Sequence, residues 1–211
     1  MIPHPGTVLV IGRQDEDREE LVQHFIADAL KKNRETVYMA VDKHPDEIVE
    51  KLRNFVDIDN HIQSKKIHFI DCYSAAKNLE SSKDFTIRVD PRNLKKVHRI
   101  VTGMTSKKEK PERVVVDSLS GLLKFNNPMF IESFIDVTIR KLKKKGATIL
   151  LLLDDDAHPT HKADLEVLTD MTLRLHEHEE KKLISLYGLV DGKRVQHQIE
   201  KGEFFEQNFY N

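Results

Sequence analysis

A short apolar run, Thr7-Val8-Leu9-Val10-Ile11, stops at Gly12, and apolar residues then return at Leu21, Val22, Phe25, Ile26, Ala29 and Leu30. The first run has the length of a buried strand. The second has the three-and-four spacing of one helix face. A strand, a glycine turn and a helix N-terminus in that order restrict the chain to α/β architectures. They are also the scaffold of a phosphate-binding loop, in which backbone N–H groups and the helix dipole converge on an anion. The usual pattern is Gly, four residues, Gly, Lys, then Ser or Thr, and the matching positions here are Gly12, Asp17, Arg18 and Glu19.

Those substitutions change the electrostatics. Asp15, Glu16, Asp17, Glu19 and Glu20 crowd the turn, against Arg13 and Arg18. Carboxylates there can cap the helix themselves, and each close like-charge contact with a phosphate costs on the order of 1 kcal/mol in water and more where solvent is excluded. Arg18 stands where the lysine would be, and Glu19 lacks the hydroxyl that holds magnesium. Two readings follow: an acid-rich helix start without a ligand, or an ATP site that relies on Arg18.

The 211 residues fit one domain, 1–211, with a sizeable core. A net charge of -1 gives no general pull toward nucleic acid or anionic lipid. The single cysteine, Cys72, has no intrachain partner, which points to the reducing cytoplasm. No apolar run approaches the roughly 20 residues that span a bilayer, and no signal peptide precedes the first strand.

Further strands are expected at Thr36–Val41, Ile67–Ile70, Arg113–Asp117 and Thr148–Leu153. Helices are expected from Pro45, with Ile48, Val49, Leu52, Phe55 and Val56 as its stripe, over Pro91–Val101 and over Pro128–Lys145. Ser74–Asp84 reads as loop, and Lys107-Lys108-Glu109-Lys110 as a solvated linker rather than a nucleic-acid patch, because no aromatic residue interrupts it. After Met171 the pattern changes to strands at Met171–Leu175, Leu183–Leu189 and Val195–Ile199, the last two joined at Asp191-Gly192. Alternating β and α followed by β-β-β predicts a mostly parallel sheet extended by an antiparallel edge.

The chain resembles the KaiC-like branch of the RecA ATPase superfamily from Ile2 to about Lys201. Ile2-Pro3-His4-Pro5-Gly6 is similar to that family's Ile-Pro-x-Gly lead-in, and Val114-Val115-Val116-Asp117-Ser118-Leu119-Ser120 to its Walker B segment. Asp71-Cys72-Tyr73-Ser74 and Leu168-Thr169-Asp170-Met171 are similar to two further family segments. The resemblance implies a RecA-like P-loop NTPase fold: α/β, with a mostly parallel central sheet flanked by helices and antiparallel C-terminal edge strands. Where the family has a pair of glutamates after the second strand, this chain has Asp42 and Lys43. Ile199-Glu200-Lys201 corresponds to the Lys-x-Arg that the family supplies across a subunit boundary. Loop, base and finger are all altered, and a finger alone is worth roughly three to five orders of magnitude in turnover. The expectation is an inactive member without cofactor, acting as a regulatory or scaffolding partner of a protein or of itself. The alternative is a divergent ATPase binding ATP with magnesium, using Arg18 for phosphates, Asp117 for the metal and Asp42 as base.

Asp154, Asp156, His158 and His161 follow the fifth expected strand, where α/β sheets bind ligands, and are candidate metal ligands or a solvated loop. His176 and His178 alternate along a strand end and read as exposed. The aromatic segment Phe204–Tyr210 either folds back onto the core or projects as an interaction tail.

Overall fold

The computed structural model describes residues 2–80, 85–104, 113–190 and 193–210. In chain order the elements are β1 (Gly6–Gly12), α1 (Glu16–Lys31), β2 (Thr36–Ala40), α2 (Pro45–Leu52), α3 (Ile58–Gln63), β3 (Ile67–Asp71), α4 (Tyr73–Lys77), β4 (Thr86–Arg88) and α5 (Leu94–Met104). They continue as β5 (Arg113–Asp117), α6 (Leu119–Leu123), α7 (Pro128–Lys143), β6 (Thr148–Asp154), α8 (Pro159–Val167), β7 (Met171–His178), β8 (Lys181–Val190), β9 (Lys193–Glu200) and α9 (Lys201–Phe209). The strands form one sheet in the order β4-β3-β2-β5-β6-β1-β7-β8-β9. Neighbours from β4 to β7 are parallel. β8 and β9 are antiparallel additions.

Every residue of β1, β2 and β5 is buried, as a parallel sheet covered on both faces requires. Side chains alternate between the faces. Val8, Val10, Tyr38, Val115 and Leu152 join a core with Leu21, Phe25 and Ile26 of α1. Leu9, Ile11, Met39, Val114 and Val116 join a second core with Val97 of α5 and Ile131, Ile135 and Ile139 of α7.

The long periodic elements lie where the sequence places them, and the short ones do not. Ser74–Asp84 was expected to be loop; Tyr73–Lys77 is instead the five-residue helix α4, and residues 81–84 lie outside the described residues. β4, α3, α6 and α8 were not expected, being too short or too polar to show a period. α5 starts at Leu94 rather than Pro91, because the Asn93 side chain accepts from Lys96 N and sets the first turn there. α2 ends at Leu52, so Phe55 and Val56 sit in the turn beyond it. The Lys107–Lys110 linker and the Asp191-Gly192 turn lie outside the described residues. Among the described residues no helix is long and apolar enough to cross a membrane.

The C-terminal aromatic segment folds back. Phe204 and Phe205 of α9 are buried in the α1-side core. His24 of α1 lies among Phe55, Phe205, Phe209 and Tyr210, with ring centroids 4.8–5.8 Å away. The charged groups facing it are Glu20, Lys31 and Lys201. Burial lowers its pKa below 6.5, more than Glu20 raises it. Below pH 6.5 the unfolded chain therefore binds the proton first, so this stability is present above that pH and is lost as pH falls. His4, His68 and His98 are lowered by burial in the same sense. Thermal melts from about pH 7.5 to about pH 5 are expected to show falling stability, and His24→Phe should flatten that slope. An unchanged slope in the variant would assign the effect to the other histidines.

Candidate functional site

The parallel strands end along one edge, and the residues singled out from the sequence collect there. Gly12 and Asp154 are register partners at the ends of β1 and β6, and Asp117 ends β5 beside Ala40 of β2. The turn after β1 is only three residues long. Asp15 caps α1, its carboxylate accepting from Arg18 N at 3.2 Å. Positive φ among the described residues occurs at Asn33, Lys65, Asn78, Glu179, Glu180 and Gly146, so none falls between Gly12 and Arg18. An amide nest for phosphate is built from residues of alternating handedness, which this turn lacks.

Arg18 faces inward. Its side chain is 3% exposed, and Nη1 donates to Gly12 O at 3.0 Å and to Asp154 Oδ1 at 2.7 Å. The guanidinium thereby ties the turn after β1 to the end of β6. Lys43 and Lys51 both donate to Glu19. Asp17 accepts from Lys182 at 2.8 Å and from Lys201 at 2.6 Å, and Glu20 accepts from Lys201 at 2.7 Å. Burial alone would raise the Asp17 pKa, but these two ammonium groups more than offset it and hold the carboxyl below its usual range. Arg13 pairs with Asp155 at 3.7 Å on the surface. The sequence alone shows a surplus of acid at this turn; the fold brings four lysines to it.

Asp117 is buried and accepts from the Tyr38 hydroxyl at 2.5 Å. Burial raises its pKa against the opposing pull of Tyr38, Arg18 and Lys43, and burial also pushes the Tyr38 phenol well up. Asp42 is the other acid of the edge. It accepts from the Ser118 hydroxyl and from Lys124 Nζ, the latter at 3.0 Å. Gly121 makes room for it, since a Cβ there would stand 2.7 Å from an Asp42 oxygen. Tyr38, Lys51, Lys124 and Lys182 carry no motif and were not singled out from the sequence.

The space enclosed by Arg18, Glu19, Tyr38, Lys43, Lys51 and Asp117 is about 30 Å³, room for a water or two. The wider cleft beside it, about 490 Å³, has Asp15, Asp17, Asp155, Glu177, Glu179 and Glu180 on its walls, with Arg13, Lys182 and Lys201. A triphosphate with magnesium fits this arrangement poorly. The helix amide is capped, the arginine is turned back, and the carboxylate at position 19 is already paired twice.

The four residues considered together for a metal do not act as one set. Asp154 is bound to Arg18. His158 caps α8, its Nδ1 accepting from Thr160 N at 3.3 Å. Asp156 is exposed, and His161 turns toward Glu132 of α7. His176 and His178 are exposed. Cys72 is buried, and burial pushes its thiol up to about 12, so its place is in the core.

A central parallel sheet with a strand–turn–helix unit at its C-terminal edge and an antiparallel β8–β9 margin defines a RecA-like α/β protein. Residues 1–205 match the family model described as "ATPase: KaiC", and the chain belongs to that family. No curated protein matches the chain in sequence. Among the solved structures that share the fold are two from Pyrococcus horikoshii. One is the uncharacterized protein PH0321 from Pyrococcus horikoshii in complex with an unknown peptide, at 11% identity and TM-score 0.71 over 94% of each chain. The other is the KaiC-like protein PH0186 from the hyperthermophilic archaeon Pyrococcus horikoshii OT3, at 15% identity and TM-score 0.65, covering 94% of this chain and 86% of that one.

Proposed function

We propose that this KaiC-family chain acts by binding a protein segment, as a regulatory or scaffolding partner, and not by turning over ATP. One observation carries the reading: Asp15, Asp17, Arg18, Glu19 and Glu20, which line the turn where a nucleotide's phosphates would rest, each already have a partner within the chain. A polyphosphate would have to break several of these contacts while adding negative charge to an acid-lined cleft.

The binding face we assign is the groove between α5 and α7. It encloses about 850 Å³ and is lined by Leu94, His98, Phe130, Phe134 and Val137, with Arg92 and Lys95 at its rim. Phe130 is 64% exposed and Val137 54%, large apolar surfaces for residues this far out on a helix. That PH0321 was solved with a peptide supports a peptide as the class of occupant. Asp90 also lines the groove and pairs Arg92 at 3.3 Å, which leaves Lys95 as the rim cation facing the acidic end of an apolar segment.

Calorimetric titration of the whole chain with ATP and magnesium is expected to give no heat of binding up to millimolar nucleotide. Micromolar, magnesium-dependent binding with turnover sinks the reading. For the groove, peptides selected on the native chain should be lost from the Phe130→Ser, Val137→Ser variant; equal retention on both would place binding elsewhere. The second reading, a divergent ATPase, is favoured by the family's description as an ATPase. It requires ATP with magnesium and assigns Arg18 to the phosphates, Asp117 to the metal and Asp42 to the base.

A further inference from the structure

α8 packs beside α7, and three side chains of metal-binding type meet between them. Glu132 lies near the start of α7, and His161 and Asp164 stand three residues apart on one face of α8. One ligand atom from each lies within 4.8 Å of the others. His161 Nδ1 is the informative atom. It is buried, has no hydrogen-bond partner among the described residues, and stands 3.9 Å from Glu132 Oε1, beyond hydrogen-bond reach. A buried ring nitrogen without a hydrogen bond, 3.9 Å from the Glu132 carboxylate and on a ring that also approaches Asp164, is poorly explained by packing alone.

We propose that Glu132, His161 and Asp164 bind one divalent transition-metal ion of the zinc class, linking α8 to α7. Tetrahedral coordination with bonds of about 2.0–2.2 Å places ligand atoms about 3.3–3.6 Å apart. The three atoms therefore need to close by up to about 1.2–1.5 Å, within reach of side-chain rotation. An imidazole with two carboxylates suits zinc and disfavours magnesium and calcium, which take oxygen. His158, whose ring centroid is 5.5 Å from that of His161, is not a fourth ligand. Its Nδ1 is used in capping α8, and it lies outside the group whose ligand atoms meet within 4.8 Å. Water completes the shell, consistent with side chains of Glu132 and His161 that are 31% and 29% exposed.

The test is zinc titration of the whole chain by calorimetry, with metal content read by mass spectrometry after dialysis. One equivalent is expected, at about micromolar dissociation constant or tighter. His161→Ala should abolish that equivalent, and the surface substitution Asp164→Asn, which leaves the fold alone, should weaken it at least about tenfold. The His176→Gln, His178→Gln variant should bind as the parent does. Absence of zinc binding, or binding unaffected by Asp164→Asn and His161→Ala, overturns the assignment. ATP is absent from the assay, so the result is independent of the nucleotide question.

Discussion

Arg18→Ala is expected to destabilise the chain by about 3 kcal/mol, the low end for breaking a buried pair, because it removes a buried cation and leaves a partly exposed carboxylate without its partner. Arg18 holds Asp154 at 2.7 Å and the Gly12 carbonyl at 3.0 Å, with its side chain 3% exposed. Without it the Asp154 carboxylate, 19% exposed at the end of β6, loses its partner, and Asp117, whose pKa burial already raises, loses a favourable neighbour. Urea unfolding at neutral pH measures the cost. Arg18→Met with Asp154→Leu should recover much of the loss, since replacing both members of a buried pair by apolar groups is often nearly neutral. A cost below about 1 kcal/mol for Arg18→Ala would mean that the guanidinium reaches solvent and remains available to a ligand.

Phe25→Ala is expected to cost a similar amount, about 3–5 kcal/mol, by a different route. Phe25 is fully buried on α1, at the centre of the core on that face of the sheet. The Arg113 guanidinium lies over its ring, 4.3 Å from the centroid, while Arg113 also donates to the Phe25 carbonyl and to Asp28 at 2.5 Å each. Truncating the ring leaves a cavity and removes the apolar face beneath a buried cation. Val137→Ala, on an exposed face of α7, should stay within about 0.5 kcal/mol. A double-mutant cycle between Phe25 and Arg113 should show coupling; strict additivity would show that the stacking contributes nothing.

How much of this was legible depended on the length over which each signal ran. The β1–α1 unit, the valine run of β5 and α7 each repeat an apolar period long enough to read, and all three lie in the expected places. β4 has three residues and α4 has five, too few for any period to emerge. The aromatic C-terminal segment was ambiguous because nothing local says what lies beneath it. The answer is His24, nearly the whole chain away.

At the candidate site the division is sharper. The acids after Gly12 and their placement at a strand-to-helix turn are local facts, and with the alternation of elements they determined an α/β sheet with an altered loop. What neutralises those acids is not local. Lys43 and Lys51 reach Glu19 from 24 and 32 residues along the chain, and Lys182 and Lys201 reach Asp17 from 165 and 184. Ion pairs form by distance in space, and a sequence pattern reports only distance along the chain. The neutralisation of the acids at the turn, the inward course of Arg18 and the meeting of Glu132 with His161 were therefore decided by tertiary structure alone.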